Sequence, residues 1–219
     1  MDNPKQTYPT FSFSERIADG AMHLIGVSGA LAGAIVLAVL AIGELGFGQT
    51  IALSVYGAAL VLTFVASAFY HMTPWEGLRP YLRRVDHAAI YVKIAGTYTP
   101  LVIMIGSLSA YFILITVWLL AAFGVVQKLF FWRVPGRFGT GLYLVMGWMS
   151  VAIVWSLIPV LPTSAMWLIG MGGLLYTFGV VFHVWENLKF SNAIWHGFVV
   201  AASACFYVAI SLGTQANLV

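Results

Sequence analysis

Ser67-Ala-Phe-Tyr-His71 puts a hydroxyl and an imidazole four residues apart at the end of a long apolar run. On a helix the two share one face. Arg84-Val-Asp86-His87 opens the next apolar run, and Asn192-Ala-Ile-Trp-His196 opens the last. Imidazoles from His71 and His196 with the Asp86 carboxylate make a two-nitrogen, one-oxygen donor set. With a fourth position open, such a set is typical of a catalytic zinc ion. An ion held this way lowers the pKa of a bound water toward about 7 and polarises a carbonyl. Ser67, one turn from His71, is placed to hydrogen-bond a ligand or a developing oxyanion. The bland reading competes at each position. Asp86 fits a helix N-cap beside Arg83 and Arg84, and His87 and His183 fit headgroup-level residues at helix ends.

The elements that must position these groups are membrane helices. Of 219 residues, 61% are hydrophobic and 8% are charged, against about 25% charged in a soluble domain. A spanning helix takes about 20 largely apolar residues, and seven stretches qualify: 21–42, 51–71, 85–105, 110–131, 138–158, 165–185 and 193–212. The expected fold is an all-α integral membrane protein, a seven-transmembrane helix bundle. A tail over residues 1–15 precedes a membrane domain at 16–213, and a short tail follows at 214–219. The amino-terminal residues have no apolar core, so the first helix is expected to direct insertion without a cleavable signal.

Lys and Arg set the orientation. Lys5 and Arg16 precede the first span. Arg79, Arg83 and Arg84 lie between the second and third, Lys128, Arg133 and Arg137 surround the loop between the fourth and fifth, and Lys189 lies between the sixth and seventh. The other loops have none. This places the N-terminus in the cytoplasm and the C-terminus outside, with Lys93 inside the third span as the exception. All five histidines then fall toward the cytoplasmic leaflet, together with Asp19 and Asp86, and Glu44 is the acid of the outer half. Ionisable groups at membrane depth are costly and usually mark function. Gly26, Gly29, Ala30 and Gly33 in the first span, and Gly172, Gly173 and Gly179 in the sixth, read as close-packing faces.

The net charge of +3 is small and spread over short loops, so nucleic acid is not an expected partner; membrane lipids are. The lone Cys205 excludes an intrachain disulfide and a cysteine-rich metal site. A retinal protein would need a lysine in its last span, and there is none.

Taken together, Ser67-Ala-Phe-Tyr-His71, Arg84-Val-Asp86-His87-Ala-Ala-Ile-Tyr91, Ala95-Gly-Thr-Tyr-Thr-Pro100 and Ala193-Ile-Trp-His196 resemble the hemolysin III family. That family is the bacterial branch of the progestin and adipoQ receptor (PAQR) group, in a superfamily that includes alkaline ceramidases. Glu15, Asp19 and His23 resemble its amino-terminal motif. The likeness spans about residues 14 to 213. It implies a seven-helix bundle with its N-terminus inside, in a bacterial inner membrane. It also implies a cytoplasmic-side zinc site made by the histidine of S-x-x-x-H and two histidines of H-x-x-x-H, with the Ser67 and Asp86 positions nearby.

One position departs from the pattern: Asn192 stands where the family motif has its first histidine. An amide oxygen is a poor zinc donor beside imidazole. Three outcomes are open: Asp86 completes a set with His71 and His196, His183 substitutes, or zinc binds weakly or not at all. The functions in view are a zinc-dependent hydrolase of a membrane lipid amide or ester, a non-enzymatic regulator or receptor of membrane state, and a cytolysin, as the family name suggests.

Overall fold

The computed structural model describes residues 11–42, 45–131, 136–185 and 187–216. Lys5, Glu44, Arg133 and most of the two tails lie outside them. The described chain is helical: α1 (Phe13–Ala41), α2 (Phe47–Met72), α3 (Arg79–Ile105), α4 (Leu108–Phe130), α5 (Gly136–Trp148), α6 (Val154–Leu157), α7 (Thr163–Val184) and α8 (Ser191–Ala216). A 3-10 segment, Met149–Ile153, joins α5 to α6. Seven helical stretches are long and apolar enough to cross a membrane, the fifth being Phe138–Leu157. The expected seven-span bundle is therefore present.

Two departures from the expected spans matter. First, α1 starts eight residues early. Ser12 caps it: its Oγ accepts from the Glu15 amide, and the Glu15 carboxylate accepts from the Ser12 amide at 2.9 Å. This capping box satisfies two amides that a helix start leaves without partners. The other carboxylate oxygen of Glu15 accepts from the Phe190 amide at 3.0 Å, which ties the start of α1 to the α7–α8 turn. Asp19 thereby becomes helical and shares a face with His23, which lay inside the expected span. Second, the fifth span is broken. The Tyr98 hydroxyl meets the Met146 and Gly147 carbonyls at 2.7 and 3.0 Å, just before the 3-10 segment. That hydroxyl supplies a donor where the α-helical ladder is lost, as buried backbone at membrane depth requires.

In the bundle, α1 sits between α2 and α8, α7 packs on α8, and α3 packs between α2 and α4 while also touching α5, α6 and α8. Burial is inverted relative to a soluble protein. Leu24, Ile35, Phe112, Leu119, Trp155 and Phe178 are exposed on the outside, while Asp19, His23, Asp86, Lys93 and His196 are buried within. Glycines allow the close approaches. A Cβ at Gly96 would meet the Ala59 Cβ at 2.7 Å, and one at Gly33 would meet the Tyr207 ring at 2.9 Å, whereas Gly29 has nothing within 4 Å. Gly172 and Gly179 pack on Phe206 and Phe198, but Gly173 faces open space. The expected small-residue faces are thus present with a different phase from the one read off the spacing.

Candidate metal centre

His71 lies in the last turn of α2, and the chain beyond it is held by Arg79. The guanidinium donates to the Tyr70 and Thr73 carbonyls at 3.4 and 2.8 Å and pairs with Glu76 at 2.9 Å. It thereby satisfies carbonyls that a helix C-terminus leaves without amide partners. His196 lies in the second turn of α8, and His23 lies ten residues into α1.

These three imidazoles converge. Their ring centroids are 4.3 Å apart for His23 and His196, 4.6 Å for His71 and His196, and 5.3 Å for His23 and His71. Each offers a ligand nitrogen, and these nitrogens all lie within 4.8 Å of one another. Asp19 sits beneath the group. Its Oδ1 is 2.6 Å from His196 Nδ1, and its Oδ2 is 3.7 Å from His71 Nδ1 and 3.6 Å from His23 Nε2. Ser67 Oγ is 3.4 Å from His196 Nε2.

The donor chemistry fits a metal ion. Three imidazoles are a known catalytic ligand set. A carboxylate on the far nitrogen of a ligand histidine is the usual second layer, fixing its tautomer and ring orientation. Among the described residues, buried His23 Nε2 makes no hydrogen bond, Asp19 Oδ2 standing 3.6 Å away, although buried polar atoms are nearly always satisfied. A bound cation would give that nitrogen its partner.

The expected site residues are thus partly gathered. His71 and His196 belong to the compact group, with Ser67 against it. Asp86 stands outside it, with Oδ2 3.4 Å from His87 Nδ1, and lines the same cavity. His183 has its ring 6.3 Å from His87 and 4.9 Å from Trp195, so it lies between α3 and α8 and outside the three-histidine group. Asn192 also lines the cavity. The residues that spacing alone did not assign are His23 and Asp19. The available signals were the Glu15, Asp19 and His23 motif and the i, i+4 spacing of Asp19 and His23, which puts them on one face once the helix extends back through Asp19.

The group opens on a cavity of about 1300 Å³. From the histidines it runs along Thr63, Phe64 and Lys93 to Leu101, Met166 and Ile169. Its ionisable residues are densest at the histidine end, and its deeper walls are mostly apolar, interrupted by Lys93, Thr97, Tyr98, Ser150, Tyr176 and Thr177.

The chain is similar to known proteins. The family model described as Haemolysin-III related matches residues 11–207. The Hemolysin-3 homolog of Bacillus subtilis (strain 168) is 33% identical over 202 residues, covering 91% of this chain and 94% of that protein. Hemolysin-3 of Bacillus cereus is 33% identical over 207 residues, covering 94% of each. The human Monocyte to macrophage differentiation factor is 31% identical over 166 residues, covering 71% of this chain and 67% of that protein. A match along most of the chain, two bacterial relatives of nearly full coverage and a seven-span bundle agree: this chain is a multi-pass membrane protein of the hemolysin III family, within the PAQR group.

Proposed function

We propose that this protein is a zinc-dependent hydrolase acting on a lipid amide or ester from the cytoplasmic leaflet of a bacterial inner membrane. The observation that carries the reading is the convergence of His23, His71 and His196 on one point, backed by Asp19, at the mouth of a largely apolar cavity. When bound, zinc supplies Lewis acidity and an activated water. The chain's own residues do the rest. His23, His71 and His196 hold the ion, with His23 in the place that Asn192 leaves unfilled. Asp19 orients His196 through Nδ1 and leaves Nε2 facing Ser67. The Ser67 hydroxyl is positioned to donate to the substrate's acyl oxygen. Asp86, which lines the same cavity beside His87, is assigned proton transfer to the leaving group. The apolar walls take the acyl chain and exclude water from it.

Purified protein analysed by inductively coupled plasma mass spectrometry should carry stoichiometric zinc. His23→Ala, His71→Ala and His196→Ala should each lose it, while Asn192→Ala and Asp86→Asn keep it. Asp86→Asn should then release no fatty acid from a panel of lipid amides and esters that the wild-type protein cleaves. A folded wild-type protein that carries no metal and takes up none would overturn the reading. Two Bacillus relatives bear the name hemolysin, so dye release from liposomes is the matching test of a cytolytic role. None is expected on the hydrolase reading.

A further inference from the structure

Lys93 is the group that the proposed chemistry does not use. It is buried in α3, six residues beyond His87, and it lines the cavity. At 1.5 Å of rise per residue it lies about 9 Å deeper than the histidines. The neighbouring helices agree on this depth: Phe64 precedes His71 by seven residues in α2, and Ser203 follows His196 by seven in α8. All three side chains meet. Lys93 Nζ donates to Ser203 Oγ at 2.7 Å and lies 4.8 Å from the centre of the Phe64 ring and 5.0 Å from that of Tyr176.

The donors in this cluster do not balance. Ser203 gives its one hydrogen to the Val199 carbonyl at 2.6 Å. It therefore accepts from both Lys93 and the Tyr176 hydroxyl, the latter at 2.9 Å. A lysine ammonium has three hydrogens, and one is used. Among the described residues no carboxylate pairs with Lys93. A cation placed in a bundle for packing alone is normally matched with an acid, because an unpaired one is costly at membrane depth. The aromatic faces stabilise it in part, and among the described residues its two remaining hydrogens meet no oxygen.

We propose that Lys93, held by Ser203 and Tyr176, is a binding subsite for the carboxylate of a long-chain fatty acid whose chain lies in the cavity. The chemistry selects this ligand. One lysine and no arginine suit a monoanion; a phosphate dianion is normally met by several cations or a bidentate arginine. The adjoining walls, Ile94, Leu101, Met166, Ile169 and Leu174, suit a methylene chain. The subsite stands apart from the three histidines and does not depend on their holding metal.

Tritiated oleate binding to purified protein in phosphatidylcholine nanodiscs tests the assignment, with oleyl alcohol as the neutral probe. Wild-type protein should bind oleate saturably. Lys93→Met should weaken oleate at least about tenfold, the loss expected for a charge-assisted hydrogen bond, and leave oleyl alcohol unchanged. Lys93→Met should unfold no earlier on heating than wild type, because a lysine without an acid is being replaced by an apolar chain of similar length. Ser203→Ala, which frees the lysine without removing it, should weaken oleate by a smaller factor and supplies the test if Lys93→Met does not fold. Chelator-treated protein and His71→Ala should retain the difference between oleate and oleyl alcohol. Equal oleate binding by wild type and Lys93→Met overturns the subsite, as does absence of oleate binding or equal loss of both probes. Oleate binding abolished by chelation but indifferent to Lys93→Met would place the carboxylate at the histidines and also overturns it.

Discussion

Asp19 reaches toward three imidazoles at once, and its short contact to His196 Nδ1, 2.6 Å, is the one that fixes a ring. An amide there would keep the size, lose the charge and lose the preference for one tautomer. Asp19→Asn should therefore lower zinc affinity about 10–100-fold, as loss of a second-layer partner typically does, measured by competition with a chromophoric chelator. His71, His196 and Ser67 were legible from sequence because their i, i+4 motif and their place at span ends survive any small error in helix limits. His23 was placed in the first span and in the amino-terminal motif but was not assigned as a ligand. Asp19 lies before that expected span, and the Ser12–Glu15 capping box and the Glu15 contact to Phe190 show that the helix runs through it. Asn192 directed the search for a replacement ligand to Asp86 and His183, whereas the third imidazole comes from α1, which packs between α2 and α8.

At the scale of helices, the seven spans were readable because length and apolarity suffice to define them, and charge marks the loops. The break in the fifth was not, since Met149–Ile153 is as apolar as its flanks; what stabilises it is a hydroxyl on another helix, Tyr98. Nor was the phase of the glycine faces, because spacing states which glycines share a face and not what faces them. Gly96→Leu should force α2 and α3 apart at Ala59 and destabilise the bundle by about 1–3 kcal/mol, the usual cost of overpacking. Gly29→Ala, with open space around it, should leave the midpoint of thermal unfolding in detergent unchanged or slightly raised. If Gly29→Ala proved the more damaging of the two, the α1 packing described above would be wrong. Tyr98→Phe should loosen the fifth span locally, visible as faster amide hydrogen exchange around Met146 to Ser150.

For the whole molecule, the distribution of Lys and Arg predicts a cytoplasmic N-terminus and an outer C-terminus. A C-terminal alkaline phosphatase fusion should then be active and a C-terminal green fluorescent protein fusion dark, with a fluorescent N-terminal fusion as control; the reverse pattern would move the histidines to the other leaflet. The bundle also carries a large cavity beside α3. About 1300 Å³ is the share of liquid taken by roughly 40 water molecules, far more than a close-packed interior leaves unfilled. Apolar walls hold such water poorly, so a hydrocarbon tenant has a thermodynamic advantage at every stage from insertion to purification. Stripped of that tenant, the protein should become soft to hydrostatic pressure, because unfolding then eliminates the volume. Restoring a lipid chain should return its resistance.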